Sequence, residues 1–421
     1  MTAPSHPPAP THAPAEDRTP ATAPRRHAAR LEWVDAARGY SVAAVVVAHV
    51  VLWHVMDPGV PVAGVGASFW DRVYGLMGSV RMPVLLAVSG LVMARRVRAG
   101  FGEGGLLLRS VRNYYLYVVW LVVYALFYAV VVEPTLPHRV DGFGDVVRQL
   151  VVPETTLWYV YALAVYIAVL GALHRVPPWA VLTALSVLSV VMHVTTTSDQ
   201  VWSKVPELAV YFALGVYGAD LLRRLADRSS VLVVAATAVL AAGVTLCGRF
   251  TGGNEVAEAV LFLVRGAAFL ALAVAVVAVG VRWSPVRRLG VALGRRTLPI
   301  YVLHPLWIAL VLLAAAGFAH DALRDVLRSP AGALLYPLVL ASAVIGLCLG
   351  TEAVVRWVRL RVPLFEMPRA WVARLDRPAA GGPVEGGPVA GGPAAAGPAS
   401  AGPVPVPPRE TSARRGVGGT S

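Results

Sequence analysis

The first long apolar run of the chain, VDAARGYSVAAVVVAHVVLWHV at residues 34–55, contains two polar side chains that a membrane helix would have to stabilise. Arg38 lies near the start of the run, and His49 lies well inside it. A guanidinium close to a bilayer and an imidazole deep within one cost free energy, so such residues usually mark a functional position. The run therefore predicts a membrane-spanning helix and makes Arg38 and His49 the first candidate site residues.

The composition of the whole chain indicates an integral membrane protein. Its 421 residues are 57% hydrophobic and only 14% charged, whereas a soluble domain is usually about one-quarter charged. The net charge of +13 comes almost entirely from arginine, because Lys204 is the only lysine. The arginines lie in short clusters between apolar runs, which is typical of membrane topology rather than of nucleic-acid binding. We therefore expect no nucleic-acid partner.

Ten apolar runs are long enough, or nearly long enough, to span about 30 Å of hydrocarbon as helices. Their approximate limits are 34–56, 74–94, 113–133, 157–174, 179–195, 205–222, 231–248, 257–281, 298–318 and 331–355. β-Structure is not expected, because backbone groups in lipid must be paired internally and the connections are short. The sequence predicts an all-α, polytopic membrane bundle of about ten transmembrane helices.

The distribution of arginine predicts the orientation of this bundle. Every second connection is rich in arginine, and such connections stay on the cytoplasmic side. Both termini are therefore predicted to be cytoplasmic, in a multi-pass protein of the plasma membrane. Trp158 and Tyr159, at the outer end of the fourth run, are typical of an interfacial aromatic belt. The connection between the second and third runs holds Arg95, Arg96, Arg98, Arg109 and Arg112.

Low-complexity sequence flanks the apolar runs. Residues 1–30 are rich in Pro, Ala, Thr and His, and residues 378–421 repeat Gly-Gly-Pro units. Such compositions cannot build a core, so both segments are expected to be disordered. Between them the sequence predicts a transmembrane domain at 31–360 and a cytoplasmic basic segment at 361–377.

The spacing of Arg38 and His49 places them on one face of the first helix. On an ideal helix, eleven residues correspond to a rotation of about 20° and a rise of about 16 Å. Arg38 is then at the inner surface and His49 beyond the midplane, with Asp35 one turn before Arg38 to hold its guanidinium. His54 is rotated away and expected outside the site. The alternative is that Arg38 is an interfacial anchor and His49 bonds a neighbouring helix.

Further polar residues are candidates for the same site. Arg109 and Arg112 form an R-x-x-R pair that suits phosphate recognition, although topogenic charge or lipid-headgroup contact is the alternative. Ser89 either lines a cavity or lets a helix pack closely. Tyr301 and His304, three residues apart on one face, either line a cavity or cross-link helices.

Several catalytic signatures are absent from the sequence. It contains no phosphate-binding glycine loop, no zinc-protease motif, no EF-hand loop and no Cys/His zinc spacing. Cys247 and Cys348 lie apart in two apolar runs and form no C-x-x-C motif. We therefore expect no metal, and any chemistry is expected within the membrane bundle.

Together these motifs resemble the acyltransferase-3 family of bacterial integral-membrane proteins, which contains many O-acyltransferases. Arg38 and His49 match the family's opening pattern of Arg or Lys, ten residues and then His, and Arg109 and Arg112 match its R-x-x-R. The stretch RMPVLLAVSGLVMARR is similar to the family's second-helix stretch ending in Ser-Gly, although Leu and Ala replace the usual Phe residues. LWYVYAL, PELAVYFALGVYGA and LPIYVLHPL also resemble recurrent stretches, and the resemblance covers most of residues 31–360.

The resemblance implies transfer of an acetyl or other short acyl group from cytoplasmic acyl-CoA, with acetyl-CoA as the first candidate donor. The acceptor would be a hydroxyl of a glycan, a lipid-linked sugar or a small molecule. The CoA phosphates would meet Arg38, Arg109 and Arg112, while His49 acts as general base or as acyl relay. The catalytic candidates are thus His49 and Arg38, the donor-binding candidates are Arg38, Arg109 and Arg112, and the cavity-lining candidates are Asp35, Ser89, Tyr301 and His304.

A transporter or flippase without covalent chemistry is the alternative function, because buried arginine and histidine also line substrate paths. That function predicts inverted repeats, and residues 34–222 show no convincing repeat in 231–355. Membrane lipid is an expected partner in either case, and the oligomeric state is left open.

Overall fold

The structure, a computed structural model, describes residues 23–56, 62–101, 105–133, 136, 138–197, 200–318, 320–358 and 363–375. Within these ranges every regular element is a helix and there is no strand. The predicted all-α membrane bundle is therefore confirmed. The predicted tail at 378–421 and the first 22 residues of the predicted head lie outside the described residues.

The described chain contains sixteen α-helices. They are α1 (Ala23–Val50), α2 (Gly64–Gly78), α3 (Arg81–Ala99), α4 (Leu106–Val130), α5 (Gly142–Gln149), α6 (Trp158–Ala172), α7 (Pro178–Thr195), α8 (Lys204–Tyr217), α9 (Ala219–Arg228), α10 (Val231–Cys247), α11 (Glu255–Gly280), α12 (Ser284–Arg295), α13 (Thr297–Phe318), α14 (His320–Arg328), α15 (Pro330–Trp357) and α16 (Arg369–Leu375). A π-helical turn, Val51–Val55, continues α1. Helix α1 begins inside the predicted head, because the alanines and arginines of APRRHAARLE favour helix.

Eight segments of the described chain are long and apolar enough to cross a membrane. One of them, Gly64–Ala99, combines α2 and α3. Helix α8 and its preceding turn form a pair with α9 that bends by 71°, and this pair would be a ninth span if counted as one. Helix α6 is apolar but only 15 residues long. Each of the ten predicted runs overlaps a helix, although the run 74–94 crosses the break between α2 and α3. The number ten and the cytoplasmic termini stay predictions.

Helix α3 lies at the centre of the bundle and packs on α8 backbone to backbone. A Cβ atom at Gly90 would lie 2.1 Å from the carbonyl oxygen of Phe212, and one at Gly215 would lie 1.9 Å from that of Ala87. No methyl group fits at these distances, so the close approach depends on glycine. Because α1 and α6 also pack against α3, this helix connects the elements that carry the candidate residues.

Candidate active site

A glycine-lined contact between α1 and α12 positions the two helices of the site. A Cβ atom at Gly39 would lie 2.2 Å from the carbonyl oxygen of Gly290, and one at Gly294 would lie 1.9 Å from that of Asp35. The two backbones therefore touch near the middle of α1. Helix α13 begins two residues after α12 ends, so this contact also fixes α13 beside the second half of α1.

His49 of α1 and His304 of α13 form a hydrogen-bonded pair. His304 Nε2 lies 3.3 Å from His49 Nδ1, and the ring centroids are 5.0 Å apart. Each Nδ1 also meets the carbonyl four residues earlier, at 2.9 Å for Val45 and 3.1 Å for Ile300. A carbonyl only accepts, so both Nδ1 atoms carry a proton. His49 Nδ1–H is therefore shared between the Val45 carbonyl and His304 Nε2.

This bonding leaves the Nε2 lone pair of His49 free. No described residue makes a hydrogen bond with that atom. His304 is fully buried, at 0% exposure, whereas part of the His49 surface is accessible. Of the two rings, His49 is thus the one that can meet a substrate as a base, and His304 orients it.

Trp53, which packs beside His49, has a buried hydrogen-bond donor without a partner in the described structure. Trp53, in the π-helical turn that follows His49, packs edge-on against it with ring centroids 6.1 Å apart. The indole nitrogen of Trp53 is buried and has no hydrogen-bond partner in the described structure. A buried donor without a partner costs about 1–3 kcal/mol. A ligand oxygen that accepts from the indole N–H would remove that cost. The helix type also fits a site, because π-helical turns often occur at functional sites.

His54, in the same turn, has different neighbours. Its Nδ1 lies 2.8 Å from the hydroxyl of Tyr336 on α15, and the two ring centroids are 5.9 Å apart. The structure therefore places His54 outside the His49–His304 pair.

Part of the Arg38 guanidinium is buried inside the bundle. Its Nε atom is buried without a partner among the described residues, and its charge acts on the buried Tyr159. The Tyr159 hydroxyl lies 2.8 Å from the hydroxyl of Ser89, which donates to the Leu85 carbonyl. Ser89 is thus part of a polar chain beside Arg38, and Tyr159 lies in the core instead of in the aromatic belt that the sequence suggests.

The Tyr301 hydroxyl has hydrogen-bond partners in the core, whereas a cavity-lining role for Asp35 stays a prediction. Asp35 forms no ion pair with Arg38 within the described residues, and its carbonyl packs on Gly294. The Tyr301 hydroxyl donates to the carbonyl of Thr156 and accepts the backbone N–H of Tyr159 at 3.3 Å. Tyr301 therefore cross-links α13 to the start of α6 and holds the helix that carries His304.

Three arginines gather near the C-terminal end of α3. Arg109 lies near enough to Arg96 and Arg112 for their charges to act on it. None of the three pairs with a described acidic side chain, whereas the neighbouring Arg98 lies 3.8 Å from Asp220. We call Arg96, Arg109 and Arg112 the inner arginine cluster. Their mutual repulsion favours a bound anion, and guanidiniums bind phosphates through paired hydrogen bonds.

The sequence did not single out two further residues near His49. Arg81 and His138 both lie near enough to act electrostatically on the His49 ring. Arg81 is the first residue of α3, so it is at the opposite end of that helix from the inner arginine cluster. Burial lowers the pKa of His138. No local signal distinguishes Arg81 from a topological arginine.

Most of the chain matches the model of one known protein family. A model of the acyltransferase-3 family, described as an acyltransferase domain, matches residues 31–352. The matched range contains every candidate residue described above. No curated protein and no solved structure matches the chain significantly. In the described part of the chain, no group of three or more His, Cys, Asp or Glu side chains is arranged to hold a metal ion.

Proposed function

The chain belongs to the acyltransferase-3 family and is a multi-pass membrane O-acyltransferase, and we propose that it transfers an acyl group from cytoplasmic acyl-CoA to an acceptor hydroxyl, with His49 as general base. The observation that carries the proposal is the free Nε2 of His49, oriented by His304 and the Val45 carbonyl. Family membership sets aside a transporter without covalent chemistry. The membrane is proposed to be the plasma membrane, which cytoplasmic acyl-CoA can reach from one side.

His49 would activate a hydroxyl that is a poor nucleophile at neutral pH. The hydroxyl oxygen attacks the thioester carbonyl carbon while His49 Nε2 takes the hydroxyl proton. The new C–O bond replaces the C–S bond, and the CoA thiolate leaves and takes that proton back from His49. The transient positive charge on His49 is stabilised because its Nδ1–H already donates to Val45 and His304. The products are an ester and CoA, and the enzyme returns to its starting state.

The inner arginine cluster is proposed to bind the CoA phosphates. Its guanidiniums have no acidic partner among the described residues, and planar guanidiniums match phosphate oxygens in paired bonds. Arg38 would lie along the path of the donor, since it is about 16 Å from His49 along α1. Trp53 and His304 crowd the space near His49. This crowding favours an acetyl or another short acyl group.

The proposal is tested first at its donor. Purified full-length protein should bind acetyl-CoA in a salt-sensitive manner, measured by calorimetry at low and high ionic strength. Arg109→Ala should weaken binding by about tenfold or more, because a charge-assisted hydrogen bond contributes about 1.5–3 kcal/mol. Arg223→Ala is the matched control, since Arg223 pairs with Asp220 on the surface of α9. Failure of both CoA and acetyl-CoA to bind would remove the basis of the proposal.

A further inference from the structure

A cavity of about 370 Å³ lies at the end of α3 opposite the inner arginine cluster. We call it the outer cavity. Its volume falls in the range of small-molecule sites, about 300–1,000 Å³. Its walls come from the α2–α3 junction, the end of α7, the start of α8 and one residue of α11.

The described residues that line the outer cavity carry more positive than negative charge. Glu207 is the one acidic side chain among them, and it already accepts a hydrogen bond from His193 at 2.8 Å. His193 also stacks on Phe262 with ring centroids 4.7 Å apart. Arg81 and Lys204 pair with no acidic side chain of the described structure. The Nη1 atom of Arg81 is buried without a hydrogen-bond partner, and the guanidinium lies 5.2 Å from the Tyr74 ring centroid. Two cations with no carboxylate of their own favour an anionic ligand.

Arg81 connects the outer cavity with the catalytic base. It lines the cavity wall, and its charge also acts on the His49 ring. Thr196, Thr197 and Ser203 line the same cavity. The hydroxyls of Thr196 and Ser203 donate to the carbonyls of Met192 and Gln200, so they can still accept a hydrogen bond from a ligand. Hydroxyl groups of this kind hydrogen-bond polar ligands such as sugars. The cavity thus combines an anion site, hydroxyl partners and proximity to His49.

We propose that the outer cavity is the acceptor site and that it binds a sugar carrying an anionic group, held at Arg81 and Lys204, with a hydroxyl directed towards His49. The proposal rests on the acyltransferase function proposed above. A phosphate and a carboxylate present the same chemistry to the two cations, so the experiment includes one sugar of each kind. Donor and acceptor would then approach His49 from opposite ends of α3.

Lys204 provides a direct probe of this cavity, because it is the only lysine in the chain. Full-length protein in lipid nanodiscs is treated with a sulfonated amine-reactive ester, and modification of the Lys204 peptide is followed by mass spectrometry. Glucose 6-phosphate and glucuronate are the anionic probes, and glucose and inorganic phosphate are the controls. At ten times its Kd, a bound sugar should slow modification of Lys204 about tenfold. Glucose should leave the rate unchanged.

Substitutions at Arg81 test whether the protection arises in this cavity. Arg81→Gln should abolish protection, whereas Arg81→Lys keeps the charge and should retain part of it. Arg72→Gln, on the exposed face of α2, is the matched control. In this variant an anionic sugar should protect Lys204 from modification as well as it does in the parent protein. The proposal is overturned if neither anionic sugar protects, if glucose or inorganic phosphate protects equally well, or if both Arg81 variants behave like the parent.

The same preparations separate this inference from the proposed function. Arg109→Ala should weaken acetyl-CoA binding and leave the protection of Lys204 unchanged. Acetyl-CoA binding without protection by an anionic sugar would overturn the acceptor site alone. Protection without any acetyl-CoA binding would overturn the donor assignment and leave the anion-binding cavity in place.

Discussion

The two ends of α3 differ in how they present positive charge. At one end the inner arginine cluster consists of three guanidiniums near helix ends, which repel each other and have no acidic partner in the described structure. At the other end Arg81 and Lys204 line a cavity, and the single carboxylate among its described lining residues, that of Glu207, is already bonded to His193. A cluster of three guanidiniums suits the several phosphates of a large donor, whereas two cations in a small cavity suit one small anionic group. Arg81 acts electrostatically on His49, and the proposed donor is bound at the opposite end of α3. We therefore predict separate donor and acceptor sites that share one base.

The largest effect is expected at His49, where the two sites meet. His49→Ala should lower the rate of acyl transfer by about 10²–10⁴-fold, because it removes the general base. His54→Ala is the matched control, since His54 lies five residues away and contacts Tyr336 instead. Mass spectrometry of O-acylated products from cells expressing each variant measures the difference. Equal tolerance of the two substitutions would exclude His49 from the mechanism.

His304 is expected to act through His49 rather than on either substrate. His304→Ala should lower kcat by about 10- to 100-fold, because the charged form of His49 loses a hydrogen bond of about 1.5–3 kcal/mol. The KM values for both substrates should stay the same. His304→Asn should restore part of the rate, since its amide oxygen can accept from His49 Nδ1–H. A change in KM without a change in kcat would contradict this positioning role.

The contact between α1 and α12 is expected to control stability. Gly294→Ala places a methyl group 1.9 Å from the Asp35 carbonyl oxygen, and overpacking of this kind costs about 1–3 kcal/mol. Gly243→Ala, in α10, is the matched control because its Cβ would meet nothing within 4 Å. Thermal unfolding in detergent should show a lower Tm for the first variant only. An unchanged Tm would mean that the two backbones separate at little cost.

The smallest effect is expected at Arg96 and separates the two ends of α3 most directly. Arg96→Ala should raise the KM for acetyl-CoA a few-fold, since exposed charge pairs contribute about 0.2–1 kcal/mol. The KM for an anionic acceptor should not change, because Arg96 lies at the opposite end of α3 from the outer cavity. Steady-state kinetics with each substrate varied in turn measures both values. Equal changes in the two KM values would argue against separate sites.

The sequence predicted the fold more completely than it predicted the contacts among the candidate residues. Apolar runs and arginine spacing are local properties, so they predicted the helical membrane bundle and the shared face of Arg38 and His49. The contact between His49 and His304 joins residues 255 positions apart and depends on how α12 packs on α1. Local spacing also suggested Asp35 as a partner of Arg38, but the two side chains form no ion pair within the described residues.

Tyr159 shows why a membrane sequence leaves such contacts undetermined. The sequence favoured an aromatic belt at the outer interface, yet Tyr159 is buried and hydrogen-bonded to Ser89. Lipid tails are as apolar as a protein core, so the hydrophobicity of a helix does not indicate which face meets lipid and which meets another helix. The sequence alone therefore determined the helices and their periodicity. Only the packing of those helices decided that His304, Arg81 and the inner arginine cluster would lie where they do around His49.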